Sequence, residues 1–128
     1  MNLEVDSYCF ACGLENPIGL KLQFTIEGDS VFATFTPTKE HQGFVNVLHG
    51  GIISTLLDEA MAHAIIAQGH RAVTAKLELS FRKPTAIGQP VLINGRIISK
   101  KSKLIKATAQ INQNGQITAE AYADFLVV

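Results

Sequence analysis

Polar and apolar residues alternate with a period of two along much of the chain, which is the pattern of half-buried β-strands. The predicted strands, in chain order, are Leu20–Ile26, Val31–Phe35, Ala72–Phe81, Val91–Ile98, Leu104–Gln113 and Gln116–Val128. The Asn114-Gly115 pair is a strong hairpin signal and predicts antiparallel neighbours. In the third strand, strict alternation would place Thr74 on the face opposite Leu77 and Leu79.

The segment between the second and third predicted strands is typical of a helix from about Gly51 to Gln68, which Gly69 ends. Apolar residues lie nearly all round this helix, which implies burial on most of its sides. Since one sheet covers only one side, loops or a partner subunit must cover the rest. One helix on an antiparallel sheet of about five to six strands is an α+β architecture.

The length of 128 residues suits one domain, residues 1–128, in which residues 1–19 form an irregular, turn-rich N-terminal segment. A hydrophobic content of 47% and a charged content of 17% are those of a globular protein. Eleven basic residues balance eleven acidic ones, so the basic excess of a nucleic-acid-binding surface is missing and we expect no nucleic-acid partner.

The first residues lack the basic and apolar regions of a signal peptide, and the apolar runs are far shorter than a membrane span. We therefore expect no membrane partner. The two cysteines, Cys9 and Cys12, fit a reducing compartment, so the expected location is the cytoplasm. Zinc needs four ligands and no second Cys-x-x-Cys follows, so we predict packing of the N-terminal segment rather than a metal site, and no cofactor.

His49-Gly50-Gly51, at the start of the predicted helix, is the strongest chemical signal. A helix N-terminus offers unpaired N–H groups and a partial positive charge, which suit an anion or a developing oxyanion. Asp58 follows Gly51 by seven residues, about 700° round the helix, so donors and acid are predicted to face one pocket. Glu59 competes for the acid role, and helical geometry alone does not choose between the two.

Two motifs together resemble the hotdog-fold acyl-CoA thioesterases of the phenylacetate-pathway type. One is His49-Gly50-Gly51 with Asp58 nine residues after the histidine; the other is Cys9-Phe10-x-Cys12-Gly13-x-x-Asn16-Pro17-x-Gly19-Leu20-x-Leu22. The resemblance implies a hotdog fold, in which the sheet wraps a long central helix. It also implies a homodimer or homotetramer with active sites at the subunit interface, and hydrolysis of acyl-CoA thioesters.

The same resemblance implies roles for individual residues. The Gly50 N–H would polarise the thioester carbonyl, and Asp58 would act as base or nucleophile. Thr74 matches a hydroxyl that holds the attacking water and would reach the site from the partner subunit. Gly43 departs from the family, in which many members carry Asn or Gln. The expected substrate-binding residues are His49, Gly51, Gln42, Asn46, Arg82 and Lys83, of which Gln42 and Asn46 lie near the missing amide and the last two suit the phosphates of CoA.

Two alternatives stay open. The Gly43 departure allows a non-catalytic acyl-CoA-binding or regulatory hotdog dimer. Arg82 and Lys83, like the lysines near residue 100, are equally compatible with solvated turn residues that bind nothing.

Overall fold

The computed structural model describes residues 3–128 and contains one long helix and six strands. These are β1 (Thr25–Glu27), β2 (Ser30–Phe35), α1 (Gly50–Ala67), β3 (Ala72–Phe81), β4 (Val91–Lys101), β5 (Leu104–Gln113) and β6 (Gln116–Val127), with a single 3-10 turn at Lys39–His41. The α+β prediction is confirmed, and the predicted helix differs from α1 by one residue at each end.

The six strands form one antiparallel sheet in the order β1-β2-β4-β5-β6-β3, and α1 packs across it. The centre of the core lies between the helix and the middle strands, where Leu56, Leu57 and Met61 of α1 are fully buried with Ile93 and Ile111 of the sheet. A long helix wrapped by an antiparallel sheet is the hotdog fold that the sequence predicted. β3 forms one edge of this sheet and pairs only with β6 within residues 3–128.

The first strand is shorter than predicted. Leu20–Ile26 was expected to be extended throughout, but β1 begins at Thr25. Lys21 has a left-handed backbone, φ 56°, and the N–H groups of Leu20 and Leu22 bond to residues of the N-terminal segment. The alternation in this stretch therefore reflects two leucines buried under that segment rather than a strand in the sheet.

The face assigned to Thr74 is also different. The register of β3 against β6 shifts between Thr74 and Lys76, which makes Ala75 a β-bulge. The extra residue turns Thr74 to the side of the strand on which Leu77 packs against the core. Strict alternation is wrong here because one unpaired residue inverts the facing of every position before it.

Gly95 of β4 lets the helix approach the sheet closely. A Cβ at this position would lie 2.5 Å from the carbonyl oxygen of Ala60 and 3.1 Å from its Cβ. No side chain fits in that space, so glycine at position 95 is what allows α1 to lie this close to the sheet.

The helix α1 has 18 residues and a mean hydropathy of 1.2, the length and composition of a membrane span. Polar residues such as Ser54, Asp58 and Glu59 interrupt this helix, so its uninterrupted apolar runs are short. Seven of its residues, among them Leu56 and Ala60, are buried, and packing against the sheet accounts for that apolar character.

Candidate active site

The first turn of α1 leaves one backbone donor without an acceptor. His49 caps the helix: its Nδ1 accepts a hydrogen bond from the Gly51 N–H at 2.8 Å, and its carbonyl accepts from Ile52 and Ile53 at 3.0 Å. The Gly50 N–H has no acceptor among residues 3–128. Of the two glycines, Gly50 is therefore the donor that a ligand can use, while Gly51 is occupied by the histidine ring.

Two open clefts flank this turn. One, of about 380 Å³, is lined by Gly50, Phe81, Arg82 and Lys83. The other, of about 330 Å³, is lined by Gln42, His49 and Gly51. The structure thus brings two of the predicted basic residues beside the free donor. Asn46 lines neither cleft; it has a left-handed backbone, φ 64°, and its N–H donates to Gln42.

The two basic residues differ in how their charge is used. Arg82 forms an ion pair with Glu120, its Nε lying 3.1 Å from the carboxylate. Lys83 donates to the uncharged side chain of Gln116 at 2.9 Å. Because only Arg82 is neutralised by a carboxylate, Lys83 carries the positive charge that an anion in this cleft would meet.

Asp58 lies midway along α1, where the Thr74 hydroxyl donates to its Oδ1 at 2.7 Å. Both residues belong to the same chain, so Thr74 reaches Asp58 without a partner subunit, and the bulge in β3 turns it to the helix. That Thr74 stands opposite the Gly50 of a partner subunit stays a prediction. Burial raises the pKa of Asp58, the hydrogen bond from Thr74 acts to lower it, and the charge of Glu59 raises it further; the net effect is a raised pKa.

Glu59 enters different surroundings. Its Oε1 lies 3.0 Å from His63 Nε2, and the Cys12 Sγ lies within 4.8 Å of a carboxylate oxygen of Glu59. Burial acts to raise the pKa of Glu59, but the bonds from His63 and Cys12 outweigh it, so the pKa is lowered. This carboxylate stays ionised and engaged, which makes Asp58 the better proton acceptor of the two.

The glycine pair and Asp58 do not share a pocket within one chain. A helix rises about 1.5 Å per residue, so Gly50 and Asp58 are separated by about 12 Å along its axis. Neither cleft at the glycines includes Asp58. The prediction of one pocket took account of the angle round the helix and missed this axial distance.

Gly43 packs directly on the capping histidine. A Cβ there would lie 3.3 Å from both Cα and Cδ2 of His49. An Asn or Gln at this position would therefore press on His49, so the loop has little space for the amide that many hotdog thioesterases carry.

Phe44 was not among the predicted site residues, but it lines the Gly50 cleft with Phe81 and is 84% exposed. The available signal was an aromatic residue within a polar loop just before the glycine pair. An exposed aromatic side chain beside a ligand cleft is a surface for apolar contact.

Comparison with known proteins points to one family. The family described as the Thioesterase superfamily matches residues 45–120, a span that includes the glycine pair, Asp58 and Thr74. Acyl-coenzyme A thioesterase THEM4 of Mus musculus is 29% identical over 87 residues, 66% of this chain. The chain spans 37% of the length of that curated relative.

Solved structures have the same fold. A thioesterase superfamily protein superposes with a TM-score of 0.89 at 25% identity, over 94% of this chain and 63% of its own. A Streptococcus mutans UA159 protein, bound to acetyl CoA, superposes with a TM-score of 0.79 at 23% identity. That match covers 84% of this chain and 88% of the other.

Proposed function

The chain belongs to the thioesterase superfamily, and from this premise we propose that it is an enzyme that hydrolyses acyl-CoA thioesters to a free acid and CoA. The mouse relative is named as an acyl-coenzyme A thioesterase, which supports the substrate class. The acetyl CoA on the Streptococcus mutans neighbour supports a CoA site on this fold. Membership of the phenylacetate-pathway subtype stays a prediction.

The pairing of Asp58 with Thr74 is the observation that carries the proposal. A half-buried carboxylate with a raised pKa and a hydroxyl 2.7 Å away can hold a water molecule and remove its proton. The water oxygen attacks the thioester carbon, the C–S bond breaks, and CoA leaves as the thiol with the proton returned by the acid. Direct attack by Asp58 is the alternative: its carboxylate displaces CoA to form a mixed anhydride, which water then hydrolyses to the free acid and the regenerated carboxylate. In a single turnover in heavy-oxygen water, label on Asp58 would show this route with water attacking the aspartyl carbon.

The free Gly50 N–H supplies the second requirement of this chemistry. A donor at the positive end of α1 stabilises the negative charge that develops on the thioester oxygen. The same cleft carries Lys83, whose charge suits a phosphate of CoA, and Phe44 and Phe81, which suit apolar parts of the substrate.

A complete site needs two copies of the chain. One carbonyl group must lie about 3 Å from both donor and nucleophile, which Gly50 and Asp58 of one chain cannot achieve at about 12 Å. We propose a homodimer in which Gly50 of one subunit faces Asp58 of the other. The unpaired edge of β3 and the 56% exposed Ile66 on α1 support association through this side of the molecule.

The activity is tested by the release of free thiol from a panel of short, medium, long and aromatic acyl-CoAs. We expect turnover of at least one class, and the preferred chain identifies the acyl group. Saturable binding of acyl-CoAs without thiol release would overturn the enzyme proposal in favour of the binding dimer that the Gly43 departure keeps open.

The two-chain site is tested by mixing two inactive variants. Gly50→Pro replaces the donor N–H with ring carbon and keeps the backbone, because proline is tolerated at the first helical position and His49, at φ −62° and ψ 135°, suits a residue before proline. Gly50→Ala, whose Cβ would meet Phe81 at an ordinary 3.6 Å, keeps the N–H and is the control.

Refolding Gly50→Pro with Asp58→Asn in equal amounts places an intact Gly50 opposite an intact Asp58 in half of the sites of each heterodimer. We expect about a quarter of wild-type turnover from a statistical mixture of dimers. With a wild type that turns over, a mixture as inactive as either variant alone would contradict a shared site.

A further inference from the structure

The N-terminal segment brings two thiols to the middle of α1. Cys9 and Cys12 lie in a turn in which the Gly13 N–H donates to the Cys9 carbonyl at 2.8 Å. Gly13 has no space for a side chain, because a Cβ would collide with the backbone of Cys9 and Ser7. This tight turn determines the positions of both thiols.

The turn is also fastened to the rest of the chain. The Leu20 N–H bonds to the Phe10 carbonyl at 2.8 Å, and the Leu22 N–H bonds to the Ala11 carbonyl at 3.0 Å. Ala11, one of the two residues between the cysteines, is 3% exposed and is therefore anchored in the core. The thiols are therefore presented by packed structure and not by a free tail.

Three potential ligand atoms meet at this turn. The Sγ atoms of Cys9 and Cys12 and a carboxylate oxygen of Glu59 all lie within 4.8 Å of one another. His63 Nε2 is 3.0 Å from Glu59 Oε1, and the His63 ring stacks on Phe24 with centroids 4.6 Å apart. A carboxylate held from one side by an imidazole thus faces two thiols on the other.

These spacings are close to those of a metal centre. Tetrahedral zinc binds sulfur at about 2.3 Å and carboxylate oxygen at about 2.1 Å, so its donor atoms stand about 3.4 to 3.8 Å apart. Because none of the three atoms is more than 4.8 Å from another, their separations need to shorten by at most about 1.4 Å to meet this geometry. Two thiolates favour zinc over the harder magnesium or calcium ions.

We propose that Cys9, Cys12 and Glu59 bind one Zn²⁺ ion, with water at the fourth position and His63 orienting the Glu59 carboxylate. The ion joins the N-terminal segment to α1 and replaces the thiol protons, about two of which are released on binding. The site is separate from Asp58 and Thr74, and it stands whether or not the chain hydrolyses thioesters. Without the ion, the Cys12 thiol lies beside the Glu59 carboxylate, within 4.8 Å of one of its oxygens.

The test measures metal content and stability of the full chain kept under a reductant that does not bind metal. We expect one zinc per chain, a lower melting temperature after treatment with a chelator, and recovery when zinc is returned. Cobalt in place of zinc should show the charge-transfer absorption of thiolate ligands. Zinc should also protect both cysteines from alkylation, a readout that needs no variant to fold.

Variants assign the ligands. Cys9→Ser, Cys12→Ser and Glu59→Gln should each lose stoichiometric zinc, whereas Glu78→Gln, an exposed carboxylate on β3, should retain it. His63→Ala should keep the stoichiometry but weaken binding by about 10- to 100-fold, as expected of an orienting partner. No zinc on the reduced wild type, or full zinc retention by Glu59→Gln, would overturn the proposal.

Discussion

Asp58 and Glu59 are neighbours in the chain, but their carboxylates lie in different surroundings. Successive residues on a helix point about 100° apart, so one faces β3 and the other faces the N-terminal segment. Asp58 accepts one hydrogen bond, from a neutral hydroxyl, and its pKa is raised. Glu59 contacts an imidazole at 3.0 Å and lies beside a thiol, and its pKa is lowered despite burial.

The comparison shows that the groups in contact with a carboxylate, more than its burial, decide whether its pKa rises or falls and so whether it suits a base or a ligand. Asp58 has few partners for its negative charge and can accept a proton from water. Glu59 is held by His63 and Cys12, which makes it a poor base and a well-positioned ligand. The predictions below test this contrast.

The largest effect is expected on turnover. Asp58→Asn should lower kcat by about 100- to 10,000-fold, the usual contribution of a positioned acid or base, while Glu59→Gln should change it by less than about tenfold. Steady-state thiol release, with the fold of each variant checked by circular dichroism, makes the comparison. Equal losses in the two variants would remove the functional distinction between the acids.

A smaller effect is expected at Thr74. Thr74→Ala removes a hydrogen bond to a charged group and should lower kcat/KM by about tenfold or more. That bond stabilises ionised Asp58, so its loss raises the pKa of Asp58 further and moves the acidic limb of the pH–rate profile to higher pH.

Thr74→Ser keeps the hydroxyl, so the acidic limb of its pH–rate profile should lie at the same pH as in wild type. The pH–rate profiles of wild type, Thr74→Ala and Thr74→Ser are compared at equal zinc content, so that the charge at Glu59 is the same in all three proteins. An acidic limb at the same pH in Thr74→Ala and wild type would mean that Thr74 does not stabilise the ionised acid.

The smallest effect is expected on the stability of the metal-free protein. Glu59→Gln weakens the bonds to His63 and Cys12 and should lower the free energy of unfolding by about 1 kcal/mol. Asp58→Asn should not lower it, because burial disfavours the ionised Asp58 in the folded state and an amide still accepts from Thr74. Urea unfolding with a chelator present measures the free energy of unfolding of both variants. A larger loss of stability in Asp58→Asn than in Glu59→Gln would contradict the surroundings assigned to the two carboxylates.

Much of the fold could be predicted from patterns of nearby residues. The helix bounds follow from the glycines at its two ends, and the later strands follow from alternation and hairpin signals. The bulge at Ala75 could not be predicted, because no local pattern marks the unpaired residue that turns Thr74 towards Asp58. The length of β1 was missed because Leu20 and Leu22 pair with a segment ten residues earlier.

The candidate site could be predicted only in part for a similar reason. His49, Gly50 and Gly51 act through local helix geometry, which the sequence shows. The meeting of Cys12 with Glu59 joins residues far apart in the chain, and a lone Cys-x-x-Cys gives no sign of its third ligand. The cytoplasmic location and the roles of Gln42 and Asn46 stay predictions.

Gly95 has no functional group and touches no substrate in the proposed site, yet the chemistry depends on it. Any side chain there would lift α1 from β4, because Ala60 lies directly above. Asp58 and Glu59 directly precede Ala60 in the chain, so such a shift would move one carboxylate away from Thr74 and, at the same time, the other away from the cysteines. One position therefore constrains two separate sites, the Asp58–Thr74 pair and the cluster of the cysteines with Glu59. Substitutions at residue 95 should be rare in any relative that keeps both of these sites.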